Sequence, residues 1–409
     1  MTDDSPAPRG AREEVIGACL AIKLDRTAAP EQIQAWLADA LPGLAAELTP
    51  QSSVRDPLRR WQLLSALGRT DLVVARLLEG HLDAVAILAE AGRSPVPGAL
   101  YGVWASASGG TGLTLRGTPD PDPSTDDPLG GLPANRQELH QGEPAEGDSG
   151  AAVLCGTIRF CSGAPLLDRT LTTARETSGA LHLLDIGVRD PRLRSVPGSW
   201  PAVGMDASES LDVEVDELPV DAAAVVGPPG FYLERTGLHL GGIGVAAVWL
   251  GGLQGLLDAA LRVLGQRSPD AHGLAHLGSV SLAVESAAAT LAAAAQRLGG
   301  APVVTDTGLC DLPADELARI ALICRSAVEA AVLEGLQRLP RVVGPVALGR
   351  DGDFAHRLAD LEVFVRQHHA ERDLARLGAA EFADPWSDGP VVERAWRFAG
   401  KPPGMGTAS

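Results

Sequence analysis

Gly156-Thr157-Ile158-Arg159-Phe160-Cys161-Ser162-Gly163-Ala164 is the stretch whose reading decides the fold. The run from Ala151 to Cys161 is rich in β-branched and apolar residues and stops at Ser-Gly, the signature of a strand entering a turn. Taken singly, Phe160 reads as a core residue and Ser162 as a turn residue. Working outward, similar short runs recur at Leu100 to Ala105, Leu113 to Gly117, Thr170 to Arg175, Leu181 to Val188 and Leu211 to Val215. Gly, Pro and Asp punctuate them, which predicts a central antiparallel β domain over residues 98–230. Pro119 to Gly131 reads as a surface loop.

The flanks carry helical spacing. From Ala11 the apolar positions recur every three to four residues, most clearly from Leu72 to Ala89, before Gly92 and Pro95. That predicts an N-terminal helical domain over 11–97, behind a disordered lead at 1–10. Helical periods return through Leu253–Leu264, His276–Leu298, Leu312–Leu339 and Asp353–Leu377, a C-terminal helical bundle over 231–380 with an irregular tail at 381–409. The fold class is α+β in three parts.

The 34 Lys and Arg against 52 Asp and Glu give a formal charge of −18, which argues against a nucleic-acid partner. Five scattered cysteines (Cys19, Cys155, Cys161, Cys310, Cys324) without metal-ligand spacing read as reduced thiols of a cytoplasmic protein. The acidic start Met1-Thr2-Asp3-Asp4 has no apolar run behind it and predicts no secretory signal. Thr236 to Leu257 is uncharged and long enough for a membrane span, but its seven glycines and amphipathic continuation favour a buried helix. His272 and His276 lack the companion ligands of a zinc helix, so no metal is expected. Gly147-Asp148-Ser149-Gly150 precedes a strand and reads as a hairpin turn. No Walker loop or dinucleotide glycine motif stands out.

The quoted strand resembles the Gly-x-Lys-x-Trp-Ile-Thr-x-Gly strand of the acyl-CoA dehydrogenase superfamily. Tyr101-Gly102-Val103-Trp104-Ala105-Ser106 with Gly109-Gly110-Thr111 stands where that family has its Thr-Glu-Pro-x-x-Gly-Ser turn. Gly204-Met205-Asp206-Ala207-Ser208-Glu209-Ser210-Leu211 is similar to its Gly-x-Arg-x-Ser stretch. The likeness runs from about Leu72 to Gly378 and implies a helical domain, a β domain and a four-helix bundle. It further implies FAD, a homodimer or homotetramer, and oxidation of an acyl thioester or similar carbonyl substrate, with electrons passing to an electron-transfer flavoprotein. The cofactor-binding roles fall on Trp104, on Phe160 (ring against the flavin), on Ser162 (hydroxyl at flavin N5) and on Arg267 (pyrophosphate).

Two departures matter. Gly265-Gln266-Arg267-Ser268-Pro269-Asp270 keeps the arginine of the family's Arg-x-x-Phe-Gly and lacks its Phe-Gly. Aligning Phe364 with the family's aromatic residue before the catalytic glutamate puts that position at His368, beside His369. The carboxylate candidates for a base are Glu371, three residues on, and Glu234, by letters, although counting back from Asp258 points near Gly241. Glu234 reads equally as a surface or helix-start residue, and the His pair as a solvated helix face. Histidine here also resembles flavin monooxygenases of this fold, which use reduced flavin from a reductase and oxygen; a non-catalytic scaffold homologue is the remaining reading. Neighbouring positions on a helix diverge by about 100°, so one histidine at most faces a cleft.

Overall fold

The computed structural model describes residues 56–105, 112–117, 152–265, 267–299 and 312–383. The expected lead, the helices anticipated before residue 56, the Gly109–Thr111 and Gly147–Gly150 turns, the Pro119–Gly131 loop and residues after 383 lie outside them.

Helices α1 (Pro57–Thr70) and α2 (Leu72–Glu90) are separated by Asp71 alone. Asp56 caps α1 by accepting from the Arg59 amide at 3.0 Å, and Pro57 fills a first-turn position that needs no N–H donor. Asp71 caps α2, accepting from the Val73 and Val74 amides at 2.8 and 3.0 Å. Each cap satisfies donors that the helix leaves open and contributes about 1 kcal/mol.

The strands described are β1 (Tyr101–Trp104), β2 (Gly112–Arg116), β3 (Ala152–Cys161), β4 (Arg169–Glu176), β5 (Leu181–Gly187), β6 (Leu193–Val196) and β7 (Leu211–Val220). They form one sheet. β1 and β2 pair with successive halves of one edge of β4, both parallel to it, and β5 runs antiparallel along the other edge. β3 pairs antiparallel with β2 and β7, and β6 with β7. The wholly antiparallel domain expected from sequence is therefore a mixed sheet. The chain reverses from β2 into β3 and again into β4, and β4 docks beside β2 rather than β3, which sets two like-directed strands side by side.

Helical structure resumes with α3 (Phe231–Glu234), α4 (Gly237–Leu264), α5 (Ala271–Gly299), α6 (Ala314–Arg350), α7 (Gly352–Phe364) and α8 (Glu371–Ala383). α6 packs against α4, α5, α7 and α8. Its backbone breaks at Gly344 (φ 77°, ψ 177°), because Pro345 bars helical geometry from the residue before it. Two of these helices, α4 and α5, are long and apolar enough to cross a membrane by length and composition. Within α4, 67% of the apolar window is buried inside the fold. Its glycines serve a contact with α1: a Cβ on Gly251 would collide with the Ser65 carbonyl, and one on Gly68 with that of Val248. Glycine on both helices thus lets two backbones touch, and the partner is the N-terminal α1 rather than another bundle helix.

The continuous helix expected over Asp353–Leu377 is interrupted. A 3-10 turn at Val365–Gln367 is followed by extended His368 (φ −75°, ψ 133°) and left-handed Ala370 (φ 40°) before α8 begins. The cause is local: His368 Nδ1 accepts the Ala370 amide at 3.1 Å, taking a donor the helix would have used. With this break, the region after Gly237 holds more helical segments than the four of a simple bundle. Residues 381–383, expected in the tail, belong to α8.

Candidate functional site

The end of β3 is distorted. Pairing with β7 slips between Ile158 and Cys161, and Phe160 within the slip has φ 60°. A bulky residue in left-handed geometry is strained by about 1–3 kcal/mol, a state that persists where function or packing demands it. Packing does not hide the ring: Phe160 is 49% exposed, and its ring stands edge-to-face with that of Trp200, 6.3 Å away at 82°.

Two residues on, Ser162 is gripped by its backbone. Its amide donates to Phe160 O at 3.0 Å, and its carbonyl accepts the indole N–H of buried Trp104 at 3.1 Å. Gly163 follows with φ +74°, and a Cβ there would crowd Leu77 Cδ2 at 2.8 Å, so the turn needs glycine. The Ser162 hydroxyl lies 2.9 Å from Ser210 Oγ, which lies 2.8 Å from Ser208 Oγ, which donates to Met205 O at 2.6 Å. Ser208 and Ser210 are buried; Ser162 ends the row at partial exposure. Met205 in turn donates its amide to the buried Asp360 carboxylate of α7 at 2.6 Å, and accepts the Trp200 indole at 2.9 Å. A Cβ on Gly204 would strike the Ala359 carbonyl, so the loop and α7 touch backbone to backbone.

The second cluster gathers where α4 begins. His368 is buried; since Nδ1 accepts from Ala370, its proton belongs on Nε2, 3.3 Å from Ser326 Oγ. Its ring meets the buried Trp249 edge-on at 6.3 Å. Arg325 lies over the same indole, 4.7 Å from the ring centroid, donating to Gly242 O at 2.8 Å and Gln367 O at 3.2 Å. Burial holds the His368 pKa below the ordinary imidazole value, and the nearby Arg325 charge pushes the same way against Asp373. Burial likewise lowers Arg325. The Trp249 indole N–H is buried without a hydrogen-bond partner.

A third group backs this cluster. Arg235, 2% exposed at its side chain, pairs with Glu90 at 2.8 Å and Asp83 at 3.4 Å. Glu79 pairs with Arg76 at 2.9 Å, and burial outweighs that arginine, pushing its carboxyl up to about 7. Beside Gly241, the Asp83 carboxylate oxygen lies 2.9 Å from where a Cβ would stand. The position near which sequence counting sought a glutamate thus carries a carboxylate lent by α2.

Among the expected site residues, the structure gathers Trp104, Phe160 and Ser162 around one turn and sets His368 in the second cluster. His369 points outward, 50% exposed, 3.8 Å from Asp373, and burial followed by Arg372 lowers its pKa. Both expected glutamates are exposed: Glu234 at the end of α3 and Glu371 at the start of α8. Arg267 is exposed past the end of α4, donating to Val263 O at 3.5 Å. The orthogonal placing of the two histidines argued from a helix does not apply, because neither lies in one; chain geometry at the break separates them instead. Sequence reading missed Ser208 and Ser210 as a hydroxyl row, and missed Arg325, Trp249, Asp83 and Arg235. A signal existed for part of this: Arg76, Asp83 and Glu90 recur at seven-residue spacing on the mostly apolar α2, which otherwise carries only Glu79 and His81 as titratable groups.

No protein-family model and no curated protein matches the sequence. Solved structures do match over nearly the whole chain. TdsC from Paenibacillus sp. A11-2, a dibenzothiophene monooxygenase solved with FMN and indole, is 16% identical with TM-score 0.68, covering 90% of this chain and 95% of its own. Methanesulfinate monooxygenase MsuC from Pseudomonas fluorescens is 16% identical with TM-score 0.68, covering 93% and 97%. The chain has the acyl-CoA dehydrogenase fold. KijD3, solved in complex with dTDP, shares that fold at 19% identity and TM-score 0.68, covering 92% and 95%. The acyl-CoA dehydrogenase fold is compatible with a flavin at the β3 turn on physical grounds. Phe160 offers an exposed apolar face and Ser162 a half-exposed hydroxyl two residues away, the pairing that an isoalloxazine face and its N5 edge require.

Proposed function

We propose that this chain is a flavin-dependent monooxygenase, and that thioester dehydrogenation, the first expectation from sequence, is the weaker reading. The observation that carries the choice is the contrast at the position of the base. There a buried histidine stands, while Glu234 and Glu371 are both exposed and Asp83, the carboxylate beside Gly241, is paired with Arg235 at 3.4 Å. Dehydrogenation needs a carboxylate against the substrate α-carbon; two structural neighbours with a stated activity, TdsC and MsuC, are monooxygenases.

In this reading Trp104, Phe160 and Ser162 hold the flavin ring system, and Arg267 remains a candidate for a cofactor phosphate. A reduced flavin held by these residues, FMN or FAD, would supply the two electrons that, with two protons, put one atom of dioxygen into the substrate and the other into water. His368 is the candidate group for moving the proton. Its lowered pKa favours the neutral imidazole, a base whose ring lone pair on Nδ1 can take a proton in exchange for the Ala370 amide contact and return it, with Ser326 at Nε2 as the partner that holds the ring. Arg325 orients it by tying Gln367 to Gly242 across the Trp249 face. Exposed His369 and Glu371 take no part.

The reduced flavin comes from a partner reductase, and the substrate is a small molecule, in a protein of the cytoplasm. The division at 97/98 and 230/231 belongs to the same proposal. So does a homodimer or homotetramer, which is supported by α5: only 28% of its apolar window is buried, and Leu274 and Leu282 are exposed.

The test pits the two chemistries against each other. Protein loaded with oxidised FMN or FAD is incubated without oxygen with butyryl-CoA and octanoyl-CoA. Separately, protein carrying reduced FMN is mixed with dioxygen and indole. Oxygenated indole without bleaching by either thioester is the expected result; bleaching by a thioester, with no oxygenated product, would restore the dehydrogenase reading.

A further inference from the structure

The three serines at the β3 turn form a row with a fixed direction. Met205 O is a carbonyl and can only accept, so the 2.6 Å contact from Ser208 Oγ commits the single Ser208 hydroxyl proton to it. Ser208 has then no proton left for the 2.8 Å contact with Ser210, so Ser210 donates to Ser208. By the same count Ser162 donates to Ser210 across 2.9 Å. Every proton in the row points inward. What Ser162, the one half-exposed member, presents outward is a lone pair. Its backbone is clamped on both sides, by Trp104 Nε1 on its carbonyl and by its own amide on Phe160 O, so the side chain holds its place.

We propose that Ser208 and Ser210 make Ser162 an obligatory hydrogen-bond acceptor, and that the site thereby discriminates in favour of reduced flavin. This rests on the flavin reading above, in which Ser162 faces N5. Reduced flavin carries a hydrogen on N5 and meets the Ser162 lone pair as a donor. Oxidised flavin presents a bare N5 lone pair, which the Ser162 oxygen opposes. To serve oxidised flavin, Ser162 must withdraw its proton from Ser210 and leave a buried hydroxyl short of a donor. The discrimination thus originates in two residues that need not touch the ligand. An enzyme supplied with reduced flavin by a separate reductase gains a site that takes the reduced form and releases the oxidised one.

The experiment measures the dissociation constants of reduced FMN, under anaerobic conditions, and of oxidised FMN for the wild-type protein, Ser208→Ala and Ser210→Ala. The quantity read is the ratio of the two constants in each protein. Ser208→Ala leaves Ser210 without its inward acceptor and lets the row reverse, and Ser210→Ala frees the Ser162 proton. One hydrogen bond gained against one lost is about 1.4 kcal/mol, so each variant should lower the preference for reduced FMN about tenfold. For this two-electron couple the midpoint potential of bound FMN should fall by about 30 mV. A ratio unchanged in both variants, even if each binds both forms more weakly, overturns the proposal, since a merely structural role would weaken both forms alike. Failure of the wild type to bind either form would instead overturn the flavin reading, and this inference with it.

Discussion

The β3 turn and the cluster at the start of α4 are built on opposite plans. At the turn, most groups come from two short stretches, 160–163 and 204–210, joined by neutral hydroxyl contacts and by the indoles of Trp104 and Trp200, with the Asp360 carboxylate on the Met205 amide as a charged partner. At the start of α4, groups from α2, α4, α6, α8, the residue after α3 and the break before α8 meet, and charge dominates: Arg235, Asp83, Glu90, Arg325 and Asp373, around the neutral His368. A neutral row can lose a member at modest cost. A buried charge cannot, because its partner is left with the full desolvation penalty.

The largest effect expected from this contrast is at Arg235. Arg235→Ala strands Glu90 and Asp83 and should cost about 3–5 kcal/mol in urea unfolding. Replacing Ser210 with Ala should cost under 1.5 kcal/mol by the same measurement. Equal losses would erase the distinction between the two regions.

Next comes His368. If it moves the proton, His368→Gln should lower turnover about 100-fold while leaving reduced-flavin affinity within threefold, and His369→Gln should change neither by more than threefold. Loss of flavin binding in step with turnover would make His368 a structural residue only.

The acid–base behaviour sharpens the picture. Glu79 has a folded pKa near 7, above its ordinary 4.5, so its contribution to stability is present below pH 4.5 and is lost as pH rises towards 7. His368 has a lowered pKa, so its contribution is present above the ordinary imidazole value and is lost as pH falls. The two oppose each other in the mildly acidic range. Glu79→Gln should therefore raise stability at pH 7 relative to pH 5 by about 2 kcal/mol compared with wild type, read from unfolding at the two pH values. A difference of the opposite sign would mean that Arg76, not burial, controls the carboxyl.

The smallest of these effects concerns Phe160. Phe160→Ala should weaken flavin binding about tenfold with little change in stability, because the ring is half exposed in the free protein. A large loss of stability would place the ring in the core instead.

The same contrast explains how much the sequence disclosed. The strand ending at Phe160-Cys161-Ser162-Gly163 and the Gly204–Leu211 stretch are local patterns. Their spacing carries both the β assignment and the resemblance. The α2 and α4 helices were legible from their apolar period. The mixed sheet was not, because alternation reports which face is buried and says nothing about which strand lies alongside. The break at His368 was hidden because helical spacing on either side ran on through it, and the competing Nδ1 contact is a side-chain event. Arg325 gave no signal in the sequence, since only the fold brings Trp249 and Gly242 against it.

The measurement that bears most directly on the central claim is anaerobic equilibrium dialysis of reduced FMN against the wild-type protein and Phe160→Ala. Saturable binding of one flavin per chain, weakened about tenfold by the substitution, is the expected result. No bound flavin, or binding indifferent to Phe160, would contradict it.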